Sequence, residues 1–319
     1  MFLPQKYMNG YNKGTYSKEM EKYVDQIFGN KLFSGIPINS SHYGHTSDNS
    51  IEDKNTLYNF NQFGYRSDPW DGSHEILVLG CSHTYGKGIP EEGRWTNILQ
   101  EISNKKVANL SLPGESINFL VSQAFEYFKI FGNPEYVVCF FPDIFRINLP
   151  VNNQLVNSKI NTIKESNTAV VYVEDHLSID KKPKYLKKPY YYEDVLPPEI
   201  PIFFSMKSIH ALEQYCNSNK IKLIWSSWDS TFCNIISNLP QISFTNFFIN
   251  DSLIIKDSHF DLDCHLEYKE RFEYYFDHAR DSIDINSRHP GVHKNIHIAE
   301  VFYKEIIKRS KEPINAISL

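Results

Sequence analysis

Three short apolar runs, each stopped by a residue that breaks regular structure, constrain this chain most. Ile76-Leu-Val-Leu79 ends in Gly80, Lys106-Val-Ala-Asn-Leu-Ser111 ends at Pro113-Gly114, and Tyr136-Val-Val-Cys-Phe-Phe141 ends at Pro142. A run that is apolar throughout, rather than alternating, is the mark of a strand covered on both faces, and such strands belong to parallel sheets. The stretches between them read as helices, one over about 93–103 and a long one to about Ile130 with Ser116 as its N-cap. A helix over about 203–218, a fourth strand at Ile221-Lys-Leu-Ile-Trp225, the loop Ser226-Ser-Trp-Asp229 and a last helix over about 291–309 continue the rhythm. Alternating strands and helices predict βαβ units and an α/β fold.

Two stretches fall outside that rhythm. Residues 1–70 are polar and aromatic with weak periodicity, and predict a loop-rich extension packed on the core, with a short helix near 17–28 and an ordered lead-in at Asn61-Gln-Phe-Gly-Tyr-Arg-Ser67. The main domain then spans 71–319. Within it, residues at about 147–200 predict an insertion, a small hairpin or cap, with one strand-like run at Ala169-Val-Val-Tyr-Val173. Residues 230–263 give no clear pattern, and 265–279 are predicted to be helical.

Composition removes several classes. Net charge is −5, from 33 basic and 38 acidic residues with no basic run, so nucleic acid is not an expected partner. The five cysteines, Cys81, Cys139, Cys216, Cys233 and Cys264, are irregularly spaced and contain no C-x-x-C, which argues against a disulfide framework or a zinc ribbon. Cys139 reads as a small buried hydrophobe. The N-terminus lacks the apolar stretch of a signal peptide, and no run of 18 apolar residues exists. A soluble protein, cytoplasmic by default and without membrane insertion, is expected. The 22 Phe and 20 Tyr are read first as core and half-buried residues, and second as sugar-facing surface.

Three segments carry residues suited to chemistry. In Gly80-Cys-Ser-His-Thr-Tyr-Gly86, a serine lies just past the first strand, at the sheet edge where open parallel sheets build their sites. Thr84 takes the second glycine position of the G-x-S-x-G elbow, so the segment is not that motif. At the next strand end, Gly114 offers a backbone N–H with no side chain in the way, suited to an oxyanion. Late in the chain, His289 precedes Pro290-Gly291 in a loop feeding the last helix, and is placed to act as a general base for Ser82. Each segment has a plain alternative: a Gly-Ser turn, a Pro-Gly turn and a surface histidine. His293 and His297, four apart on one helix face, raise metal binding, but Lys294 stands where a zinc protease helix carries Glu.

Taken in this order, the three segments resemble the SGNH/GDSL hydrolase superfamily. Its blocks are a G-D-S turn after strand one, a glycine after strand two, G-x-N-D after strand three and D-x-x-H before the last helix. Here they correspond to Gly80-Cys81-Ser82, Gly114, Phe140-Phe-Pro-Asp143 and Asn286-Ser-Arg-His289. The resemblance implies a three-layer α/β/α sandwich with a five-stranded parallel sheet. It implies Ser82 as nucleophile, His289 as base, and the Ser82 and Gly114 N–H groups as oxyanion donors, with no cofactor and no metal. Cys81 replaces the block-one Asp. Pro142 replaces the block-three Asn, whose loss typically costs about 10²–10³ in rate unless Asn118 or Arg146 substitutes. Asn286 replaces the triad Asp, a change that costs about 10⁴ in a serine protease, unless Asp284 or Asp281 supplies the carboxylate. Arg146 and His83 are taken as substrate-facing. The expected activity is hydrolysis of O-acyl esters, acetyl on a carbohydrate foremost. A weakened glycan-binding or structural module and an O-acyltransferase are the alternatives. Oligomeric state stays open.

Overall fold

The computed structural model describes residues 40–43, 56–151, 154–162, 169–173, 199–239, 244–254 and 289–311. The expectations for 17–28, 265–279, Cys264, Asp281, Asp284 and Asn286 lie outside them.

Two strands, β1 (Ser40–Tyr43) and β2 (Leu57–Phe60), pair antiparallel, Ser40 opposite Phe60. The apolar runs then become β3 (Ile76–Gly80), β4 (Val107–Asn109) and β5 (Tyr136–Phe141), every residue of them buried. With β9 (Lys222–Ser227) they form a parallel sheet in the order β4-β3-β5-β9. Between β5 and β9 an antiparallel sheet is built from β6 (Arg146–Val151), β7 (Gln154–Thr162) and β8 (Ala169–Val173).

The helices that position the site are α1 (Ser82–Tyr85), α2 (Trp95–Ser103), α3 (Ile117–Phe131), α4 (Glu199–Ser218), α5 (Ser230–Ser237) and α6 (Val292–Ser310). The Ser116 hydroxyl caps α3 as expected, accepting from Phe119 N–H. Side-chain alternation divides the core in two. Leu77, Leu79, Val137, Cys139, Leu223 and Trp225 face α3 and α4. Ile76, Val78, Tyr136, Val138 and Ile224 face α2 and α6. The sheet is therefore sandwiched between helix pairs, and burial on both faces is why β3 and β5 are apolar along their length.

Among the described residues the parallel ladder has four strands, where five were expected. The outer edge of β9 carries one parallel bridge, Trp225 to Phe247, with Trp225 N–H donating to Asn246 O and Phe248 N–H to Trp225 O, both at 3.1 Å. Side chains rather than further ladder bonds hold this segment. Glu213 Oε1 accepts Asn246 N–H at 3.2 Å, and Arg309 Nη1 donates to Asn246 Oδ1 at 3.0 Å. No helix among the described residues is long and apolar enough to cross a membrane.

Candidate active site

The turn after β3 is shaped by one close approach. A Cβ on Gly80 would lie 2.0 Å from Thr84 Oγ1, so only glycine lets α1 fold back over the strand end. This explains Thr84 in a position where the elbow motif has glycine: the two residues share one space. Cys81 precedes α1, and its carbonyl accepts from Thr84 and Tyr85 N–H at 3.0 and 2.8 Å. Gly86 closes the helix at φ 73°, ψ 54°, its N–H reaching Ser82 O. Ser82 and His83 are 8% and 5% exposed, so both side chains lie beneath the open surface.

A buried arginine pair fixes this turn from behind. Arg66 Nη1 donates to Tyr85 O at 3.1 Å and Gly86 O at 2.5 Å, and Nη2 to Ile89 O at 2.6 Å. Its guanidinium lies 4.3 Å from the Tyr58 ring centre, and Tyr58 OH accepts Gly88 N–H at 2.8 Å. Arg94 Nη1 donates to Arg66 O at 2.6 Å, and Asn97 Oδ1 takes two more of its donors. Burial, then the neighbouring Arg66 charge, pushes the Arg94 pKa down to about 9. Asn61 Oδ1, accepting Phe63 and Tyr65 N–H, folds the lead-in that delivers Arg66.

The chain leaving β4 runs beside the end of β3, with Leu112 N–H on Gly80 O at 3.1 Å, and Gly114 turns just beyond with φ +79°. Among the described residues, neither Ser82 nor Gly114 N–H donates to another group. Asn118 lies in the first turn of α3, where its Oδ1 accepts the Ser116 hydroxyl at 2.6 Å.

His289 reaches the turn from the far end of the chain. Asn295, fully buried in α6, donates through Nδ2 to Gly291 O at 2.8 Å and Pro290 O at 3.3 Å, while its Oδ1 accepts Trp95 N–H at 3.0 Å. This pins the loop carrying His289 against α2. The His289 and His83 rings then sit 5.2 Å apart, and His83 in turn lies 4.4 Å from the Trp228 ring. Ser82 Oγ makes no hydrogen bond to His289. It points to Cys81 Sγ at 3.9 Å, and His83 Nδ1 is 3.8 Å from the same sulfur. Cys81 Sγ is thus the partner of the hydroxyl among the described residues.

Trp228 and Cys81 are contacts that reading the sequence did not single out. The signal for Trp228 is its place at the carboxyl end of β9. Ser227 Oγ accepts Asp229 N–H and donates to Phe141 O, both at 3.0 Å, which locks the loop on either side of the indole. Arg146 opens β6, just past the end of β5, and its guanidinium carbon is 5.7 Å from the Trp228 ring centre. Pro142 follows β5 directly, and Asp143 Oδ1 accepts Phe145 N–H at 2.8 Å. Ser82, His83, Arg146, Trp228 and His289 therefore share the carboxyl edge of the sheet. His293 is 8% exposed within α6, and among the described residues no three of His, Cys, Asp and Glu come together to hold a metal ion.

No family model matches the sequence, and no curated protein matches it. Among solved structures, the chain is similar to a Desulfitobacterium hafniense DCB-2 protein assigned to the G-D-S-L lipolytic family. Identity is 14%, over 72% of this chain and 97% of that one, with a TM-score of 0.35. The likeness is one of fold, at a distance.

Proposed function

We propose that the chain is a serine-dependent hydrolase of O-acyl esters, with acetyl groups on a carbohydrate as the foremost substrate. The observation that carries this reading is His289, brought from the last loop into ring contact with the residue beside Ser82. The Ser82 hydroxyl attacks the ester carbonyl, and the His289 ring takes its proton and then returns it to the leaving alcohol. The N–H groups of Ser82 and Gly114 receive the developing oxyanion, with the Asn118 amide as the third donor. Water, activated by the same histidine, releases the acid from the acyl-enzyme. Asp284 or Asn286 is assigned to orient the histidine. Release of acetate from p-nitrophenyl acetate and from acetylated oligosaccharides tests this. Ser82→Ala is expected to lower the rate by about 10³-fold or more, and hydrolysis persisting at the wild-type rate overturns it.

The turn of Ser82 Oγ toward Cys81 favours a second reading, a binding module in which the hydroxyl is no longer activated. That reading predicts no labelling of Ser82 by a fluorophosphonate, with glycan binding intact.

A further inference from the structure

Two shielded donors at the sheet edge have no acceptor among the described residues. Arg146 Nη1 and Trp228 Nε1 are both shielded from solvent and make no hydrogen bond there. Both groups donate only, so neither can satisfy the other. Their separation is small, 5.7 Å from guanidinium carbon to indole centre. The carboxylates nearest in sequence are turned elsewhere. Asp143 Oδ1 accepts Phe145 N–H, and Asp229 Oδ1 caps α5 on Thr231 N–H. No ion pair involves Arg146 among the described residues. An unsatisfied buried donor costs about 1–3 kcal/mol; another, Trp95 Nε1, lies alone in the core, whereas these two share one corner of the sheet edge.

We infer that Arg146 and Trp228 form a carboxylate-binding subsite, so that the ester is borne on an acidic substrate such as a sugar acid. This rests on the reading of the crevice around Ser82 as the substrate site. The ligand must bring acceptors, because the lining brings donors. One guanidinium charge matches a monoanion, and one N–H from each side chain matches the two oxygens of a carboxylate. The His83 ring, tilted by 44° against Trp228 with ring centres 4.4 Å apart, links this corner to the serine. A carboxylate held here orients the acyl-bearing part of the same molecule toward Ser82 without joining the chemistry.

Binding and turnover test the subsite separately. Quenching of tryptophan fluorescence by D-glucuronate, read against glucose and against inorganic phosphate, reports occupancy whether or not the protein hydrolyses anything. Saturable quenching by glucuronate, absent with glucose and weaker with phosphate, is expected. Arg146→Met is expected to weaken it about 10–100-fold, Arg146→Lys less. Trp228→Phe, which keeps the ring and removes the N–H, loses the signal and is read by calorimetry, with about 2–10-fold weaker binding expected. In turnover, the ratio of kcat/KM for 4-acetoxybenzoate to that for p-nitrophenyl acetate falls in Arg146→Met by a similar factor, and the fall lies in KM. Equal binding of glucose and glucuronate, tighter binding of phosphate, or a ratio untouched in a folded Arg146→Met protein overturns the inference. Glucuronate binding that needs Arg146, in a protein whose esterase activity ignores Ser82→Ala, upholds the subsite and removes the hydrolase reading alone.

Discussion

Two buried arginines flank this crevice and are treated in opposite ways. Arg66, on the lead-in from β2, spends its guanidinium on the carbonyls of Tyr85, Gly86 and Ile89 and lies over the Tyr58 ring. Arg146, at the start of β6, keeps a shielded Nη1 with no acceptor among the described residues, whereas on Arg66 both terminal nitrogens are bonded and only Nε has none. The first is a structural clamp, since a buried charge that satisfies backbone acceptors holds their geometry. The second leaves Nη1 shielded beside Trp228, which is where the ligand of the proposed subsite would supply an acceptor.

Stability measurements can break this contrast. Arg66→Met strips three carbonyls of a charged donor, each such bond being worth about 1.5–3 kcal/mol though not additively. A loss of at least about 3 kcal/mol in urea unfolding is expected, with Arg66→Lys between it and wild type. Glu213 sharpens the comparison as a buried charge of the opposite sign. It accepts from Trp225 Nε1 at 3.1 Å and from Asn246 N–H, and burial holds its carboxyl above the ordinary value. The folded chain therefore takes up a proton more readily than the unfolded chain. Stability contributed by that proton is present at low pH and is lost as pH rises from the ordinary carboxylate value through the folded one. Glu213→Gln, which keeps the acceptor oxygen, is expected to be the more stable protein at pH 7, by less than Arg66→Met loses. The gap should close as pH falls below about 4.3. A gap independent of pH contradicts the account. The smallest effect is expected for Arg146→Met, within about 0.5 kcal/mol of wild type or slightly stabilising. If it costs as much as Arg66→Met, Arg146 is a structural residue and the distinction between the two disappears.

The parts of the fold that could be read in advance are those whose signal is local. Tyr136–Phe141 is a strand with the predicted bounds, because a run that is apolar at every position has no exposed face in any other setting. Helix α3 begins where Ser116 predicts, since a cap is a contact between residues three apart. Ser82 and His289 stood out as chemistry-bearing types next to breakers. The segment beside β9 did not reduce to a pattern. Its bridge at Phe247 is flanked by bonds from Asn246 to Glu213 and Arg309, which lie on helices far from it in sequence. Trp228 likewise reads as one more apolar residue until its ring is seen against His83.

What the sequence determined by itself was the layered α/β architecture and the tight turn that carries Ser82, because strand burial and the Gly80 close approach are written within a few residues. What only the tertiary structure decided was the make-up of the crevice: which histidine reaches the turn, that Cys81 Sγ is the partner of the Ser82 hydroxyl among the described residues, and which arginine is a clamp and which is open. The reason is physical. Hydrogen-bond satisfaction and desolvation are properties of neighbours in space, and Arg66, Arg146, Trp228 and His289 become neighbours only when the sheet brings its carboxyl edge together.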